Sequence, residues 1–213
     1  MRLIFVRKPT FVTPVTSITQ VLSATNSADA TIDFPGGIQA GDLIVLFDNC
    51  FNISTPADVT PTGFTRIGSS ATTSSVRSNL WYKLATGSES GALTCMGPGL
   101  VRGQCMYVFR GNVPATTITP GSAAQQATDG NPTLQTVTAS SGVAPLVVIG
   151  AYACPSGTVD PRTFSTTKDG EISPAGGFYL AYKIYNSSPA NSNIDMDDEG
   201  GGNSLHSCYI QMA

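Results

Sequence analysis

Short apolar runs, each about one strand long and each closed by Gly, Pro, Ser, Thr or Asn, follow one another along nearly the whole chain. The pattern is plainest in Gly41-Asp42-Leu43-Ile44-Val45-Leu46-Phe47, Trp81-Tyr82-Lys83-Leu84-Ala85-Thr86-Gly87 and Tyr107-Val108-Phe109-Arg110-Gly111. Many short strands separated by turn signals indicate a sandwich or barrel rather than βαβ units. No helix-length window repeats Leu, Ala, Glu or Lys at the i, i+3, i+4, i+7 spacing of an amphipathic helix. The spacing predicts strands over 3–7, 17–24, 30–34, 43–47, 64–69, 80–85, 92–96, 104–109, 116–119, 133–138, 146–153, 177–184 and 205–212.

Two of these runs also say where they sit. Between Phe178 and Ile184 one face collects Phe178, Leu180, Tyr182 and Ile184, the alternation of a strand with one buried side. Leu146-Val147-Val148-Ile149 is apolar on both faces and suits the centre of a sheet. Pro35-Gly36-Gly37, Pro61-Thr62-Gly63 and Asp169-Gly170 carry turn chemistry. The stretch 119–132, rich in Gly, Ala, Gln, Thr and Pro, reads as a long exposed loop. An all-β, antiparallel two-sheet sandwich of jelly-roll-like type manages the edges of so many strands best. A single domain over 17–213 is expected, because no composition break divides the chain.

Residues 1–16 stand apart as an apolar and basic arm. Phe5, Val6, Phe11 and Val12 are too apolar for a free tail. The arm is either a further strand of the domain or a strand added to a neighbouring subunit. In the second case Leu3, Phe5, Arg7, Lys8 and Phe11 are the docking residues.

Charged residues make up 12% of the chain, about half the usual share. With a net charge of −3 and 41% apolar residues, this composition describes an ordered protein with a neutral polar surface, not a disordered one. The 11 Lys and Arg are scattered, with a local excess only at Arg2, Arg7 and Lys8, so no nucleic-acid partner is expected. No apolar run approaches the roughly 20 residues that span a bilayer, so no membrane partner is expected either. The start, Met1 to Pro9, imitates a signal peptide, but its apolar run is too short and no cleavage site follows; the chain is expected to stay in the cytoplasm that makes it.

Candidate chemistry is sparse. The single histidine, His206, shares a strand face with Ser204 and Cys208, so a Ser/His or Cys/His dyad is conceivable. Neighbours along one strand rarely reach nucleophile–base geometry, and a structural histidine is the expectation. The acidic run Asp195-Met196-Asp197-Asp198-Glu199 invites calcium, yet it lacks the glycine and final glutamate of an EF-hand loop; a solvated loop without metal is expected. A glycosidase would need two carboxylates flanking a cleft, and only Glu89 with Glu171 offers itself. Trp81 and Tyr82 point to opposite faces of one strand, so one is expected in the core and the other exposed; Tyr82, or Tyr179 with Tyr185, could form a platform for a host-surface glycan. The five cysteines include no CxxC pair; Cys95 and Cys105 are the best disulfide candidate, but buried free thiols are the expectation. No catalytic residue, cofactor or metal is expected.

Four motifs occur in order: Gly-Asp-Leu-Ile-Val at 41–45, Pro-x-Gly-Phe-Thr at 61–65, Trp-Tyr-Lys-x-Ala-Thr-Gly at 81–87 with Glu89-Ser90-Gly91, and Tyr-Val-Phe-Arg-Gly at 107–111. This order resembles a β-sandwich domain of tailed-bacteriophage virion proteins of the minor tail, fibre and capsid-decoration type. The resemblance covers about residues 20 to 113. It implies a non-enzymatic structural component of the virion, made in the host cytoplasm and displayed on capsid or tail. Its partners would be other virion proteins and further copies of itself, as a trimer or ring. A carbohydrate-binding module that reads the host receptor is the alternative.

Overall fold

A computed structural model of the chain describes residues 13–27, 30–51, 59–72, 76–95, 101–128, 145–153, 168–174, 177–187 and 203–213. The strands expected at 3–7 and 133–138 lie outside the described residues. Within them run β1 (Ile18–Asn26), β2 (Thr31–Asp33), β3 (Leu43–Phe51), β4 (Thr65–Arg66), β5 (Ala71–Thr72), β6 (Val76–Leu84), β7 (Ala92–Thr94), β8 (Val101–Gly111), β9 (Ile118–Thr128), β10 (Leu146–Ala153), β11 (Gly170–Ile172), β12 (Phe178–Tyr185) and β13 (Asn203–Met212).

One sheet has the order β1-β8-β3-β6-β4, with β5 also on β6, and the second has the order β11-β12-β10-β13-β9. A ribbon of β2 and β7 completes the set, and every pairing is antiparallel. The expected all-β two-sheet sandwich is what forms. Its jelly-roll likeness lies in the two antiparallel layers and not in the connectivity, because successive parts of the chain build successive sheets instead of exchanging strands between them.

Side-chain alternation explains the core. Leu43, Val45 and Phe47 of β3, Leu80 of β6, and Tyr107 and Phe109 of β8 point inward. They meet Val147, Ile149 and Ala151 of β10, Leu180 and Tyr182 of β12, and Cys208 and Ile210 of β13. The central strand β10 is buried along its whole length, as a run apolar on both faces requires. On the far face of the first sheet, Ile44, Leu46, Trp81, Met106 and Val108 are covered by Ile32, Ile38, Phe64, Leu93 and Cys95. This third layer corrects one expectation: Trp81 is buried in it, while Tyr82 packs half-buried against the main core, so neither ring is a free platform.

The expected loop at 119–132 is also corrected, since β9 extends to Thr128 and pairs with β13. As an edge strand it tolerates Pro120, which sits where the register shifts by one residue. The Tyr209 ring packs over Gly121, in the space a Cβ would take, 1.7 Å away. Asp169-Gly170 likewise leads into β11 instead of making a free turn, with the Tyr182 ring against Gly170. Strands β3, β6 and β8 run beyond their expected ends; in β3 and β6 the added residues Asp48, Asn49, Ser78 and Asn79 are buried in the sheet despite their polarity.

Val15, in the last part of the arm, is buried in the main core. Leu3, Phe5, Arg7, Lys8 and Phe11 lie outside the described residues.

Candidate functional site

His206 does meet a serine, but not one from its own neighbourhood in sequence. Its Nε2 lies 2.8 Å from Oγ of Ser78, which β6 brings across from the opposite sheet. Oγ of Ser78 lies in turn 2.6 Å from Oγ of Ser204. The edge of the imidazole meets Phe47 at 5.9 Å between ring centroids. Desolvation by burial lowers the His206 pKa to about 4, so the ring is neutral at pH 7. A neutral imidazole beside a hydroxyl is the start of a nucleophilic dyad, yet Ser78 and Ser204 are fully buried and His206 is 2% exposed. The three side chains are closed off from solvent. The group is an inter-sheet polar clasp. Sequence reasoning missed Ser78; the signal was its position two residues before Leu80 on the inward face of β6.

The charged motif residues form two ion pairs, Asp42 with Arg110 and Lys83 with Glu89. Asp42, 1% exposed at the entry to β3, accepts Nε of Arg110 at Oδ1 and Nη2 of Arg110 at Oδ2, each at 2.8 Å. The same Oδ2 accepts the Gln39 amide at 2.8 Å, and Nη2 also donates to the Gly37 carbonyl at 2.9 Å. The Gly-Asp and Arg-Gly motifs are thus two halves of one ion pair. Gly41 has φ 87°, and a Cβ there would lie 2.7 Å from the Ala115 nitrogen, so only glycine fits this turn.

The Glu89 carboxylate closes the turn after β6. It accepts the amides of Thr86 and Gly87 at 2.9 Å each and the Thr86 hydroxyl at 3.0 Å, and pairs with Nζ of Lys83 at 2.9 Å. Burial pushes its pKa up, but these donors together outweigh burial and hold it at about 2. Nζ of Lys83 also lies 5.9 Å from the centroids of both Phe34 and Phe64. Phe34, Thr62, Lys83, Ser88, Glu89 and Thr94 line an open cleft of about 310 Å³. Its aromatic face and hydroxyls are of a kind that suits a sugar, but its two charged groups are already engaged with the turn and with each other.

The remaining candidates are not brought together. Glu89 serves its turn on the first sheet, while Glu171 on β11 of the second sheet pairs with Lys168 at 2.9 Å, so the two do not flank a cleft. Cys50, Cys95, Cys105 and Cys208 are free and buried. Cys95 lies in the third layer and Cys105 in the main core, on opposite faces of the first sheet, so the two are not joined and are the buried free thiols that were expected. Burial pushes the Cys95, Cys105 and Cys208 thiols up. Cys154 and the acidic run Asp195 to Glu199 lie outside the described residues. Tyr179 and Tyr185 are half-buried. Among the described residues no three His, Cys, Asp or Glu side chains gather to hold a metal ion.

Fold and site together define an all-β sandwich in which Asp42, Arg110, Lys83, Glu89, Ser78 and His206 are engaged in holding it together. Compared with protein-family models, curated proteins and solved structures, the chain matched none.

Proposed function

We propose that the protein is a non-enzymatic structural component of a tailed-phage virion, displayed on the capsid surface or the tail. The observation that supports this reading is the use of the motif residues. Asp42 and Arg110 tie the entry of β3 to the end of β8, Lys83 and Glu89 tie the end of β6 to the turn after it, and the single Ser–His pair is sealed between sheets. Residues that look like candidates for chemistry therefore work as fasteners, which is what a particle part exposed to the medium needs. The virion assignment itself rests on the order of the four motifs. Other virion proteins and further copies of this chain, as a trimer or ring, are the partners that reading implies.

Particles purified from an infection by the phage that encodes the chain test the proposal. Mass spectrometry is expected to find the chain at fixed copy number, and gold-labelled antibody to mark capsid or tail. Absence from washed particles overturns it. Removing residues 1–12, with Leu3, Phe5, Arg7, Lys8 and Phe11, is expected to leave a folded protein that no longer joins the particle. The cleft at Phe34 and Thr94 supports a second reading as a host-glycan reader, and a glycan array silent for the intact protein counts against it.

A further inference from the structure

The two sheets are built alike. In the first, the strands in chain order are β1, β3, the short β4 and β5, β6 and β8; in the second they are β9, β10, β11, β12 and β13. Across each sheet they stand in one and the same order: first, fifth, second, fourth, third.

The registers match too. Leu43 pairs with Leu84 and with Phe109, as Val147 pairs with Ile184 and with Ile210. Counting along the strands from these pairs, Gly111 corresponds to Met212, and their partners are Ile18 and Ile118. Just past each isoleucine the first strand carries one extra residue, between Gln20 and Leu22 in one sheet and between Pro120 and Ala123 in the other. The third strands agree as well: Thr65 pairs with Tyr82 as Gly170 pairs with Tyr182.

Sequence and hydrogen bonds repeat with the strands. Pro14-Val15-Thr16-Ser17-Ile18-Thr19 returns as Pro114-Ala115-Thr116-Thr117-Ile118-Thr119, and Leu80-Trp81-Tyr82-Lys83-Leu84 as Leu180-Ala181-Tyr182-Lys183-Ile184. The Asn112 amide donates to the Ser17 carbonyl at 3.0 Å, and the Ala213 amide to the Thr117 carbonyl at 3.0 Å. Amides of Thr16 and Ser17 donate to Oδ1 of Asn112, and those of Thr116 and Thr117 to the backbone oxygen of Ala213.

Contacts between the sheets are reciprocal. Ser78 corresponds to Phe178, and Gly103 to Ser204. Ser78 meets Ser204 at 2.6 Å, and the Phe178 ring lies against Gly103, where a Cβ would be 2.3 Å from Cδ2. These are the same two positions with the sheets exchanged, the signature of an isologous, two-fold interface.

We infer that residues 13–213 are a tandem repeat of one five-stranded unit, and that the sandwich is the face-to-face pairing of its two copies about an approximate dyad. The surface each copy buries is a dimer face, and its partner is a second copy of the same unit carried on the same chain. The ion pair of Asp42 with Arg110 is a departure from the repeat, since Leu146 and Gln211 hold the matched positions. The inference stands on topology and register and does not depend on the virion reading.

Two experiments test it. In the chain, Asn112 passes directly to Val113, so the dyad places Ala213 next to residue 13 in the same way. A circular permutant running from Val113 to Ala213, joined without added residues to Thr13 and ending at Asn112, is expected to be a folded monomer. It should keep the parent's far-UV spectrum and unfold in one cooperative transition. A direct junction that does not fold, whether or not a flexible linker restores folding, overturns the dyad. In the full chain, Ser78→Phe is expected to lower Tm sharply. Adding Ser204→Gly and His206→Cys copies Phe178, Gly103 and Cys105 onto the matched positions and is expected to recover roughly half of that loss or more. Recovery no better than that from Ser207→Gly added to Ser78→Phe overturns the reciprocal packing.

Discussion

Asp42 and Arg110, 68 residues apart in sequence, meet in a two-pronged ion pair with both N–O distances at 2.8 Å. The carboxylate is nearly inaccessible, and the guanidinium keeps part of its surface in water. Removing the cation leaves a buried charge with only the Gln39 amide for company. Arg110→Ala is expected to lower unfolding free energy in urea by about 3 kcal/mol. Arg110→Lys is expected to restore little, because an ammonium cannot reproduce the planar fork. A loss below about 0.5 kcal/mol for Arg110→Ala would place this pair among ordinary surface salt bridges.

His206 makes the sandwich sensitive to mild acid. Its pKa is about 4 in the folded protein against an ordinary 6.5, so the unfolded chain binds the proton first. Stability is full above about pH 6.5, falls as pH drops toward 4 and levels below it, with a loss on the order of 3 kcal/mol. His206→Gln is expected to flatten the unfolding free energy between pH 6.5 and pH 4. An unchanged slope in the variant would show that other groups set the acid limit.

Glu89 acts in a lower window. Its pKa of about 2 lies below the usual 4.5, so its contribution is present above pH 4.5 and disappears as pH falls toward 2. Glu89→Gln keeps the shape but weakens the charge-assisted bonds to Thr86, Gly87 and Lys83. A loss of about 1–2 kcal/mol at pH 7 is expected, shrinking toward zero near pH 2. A loss that is the same at both pH values would mean that the charge plays no part.

The thiols of Cys95, Cys105 and Cys208 are held protonated by burial and are out of reach of reagents. Labelling with a charged thiol reagent at pH 8 is expected to leave all three unmodified in the native protein and to reach them in denaturant. Fast native labelling at any of them, mapped by peptide mass spectrometry, would contradict the packing described.

Much of this fold was legible from residue order. The alternation Phe178, Leu180, Tyr182, Ile184 and the two-sided run Leu146 to Ile149 marked an inward face and a central strand, because period and polarity are local properties. Strand β9 was not legible. Its Pro, Gly, Ala and Gln are what an edge strand tolerates, and they are also what a loop contains. The partnership of Ser78 with His206 was equally out of reach, since it depends on which sheet faces which. The motif order held both Gly41-Asp42 and Arg110-Gly111, but only the pairing of β3 with β8 brings Asp42 against Arg110.

Building one sheet after the other has a consequence during synthesis. Among the described residues, every strand of the first sheet precedes residue 112 and every strand of the second follows residue 117. At elongation rates of about 5–20 residues per second, several seconds separate the two. Throughout that interval the nascent chain carries Val45, Phe47, Leu80 and Phe109 with nothing to cover them. The ribosome therefore holds a half-finished molecule with an oily face, and the crowding of neighbouring polysomes decides whether that face meets its own second half or a stranger's.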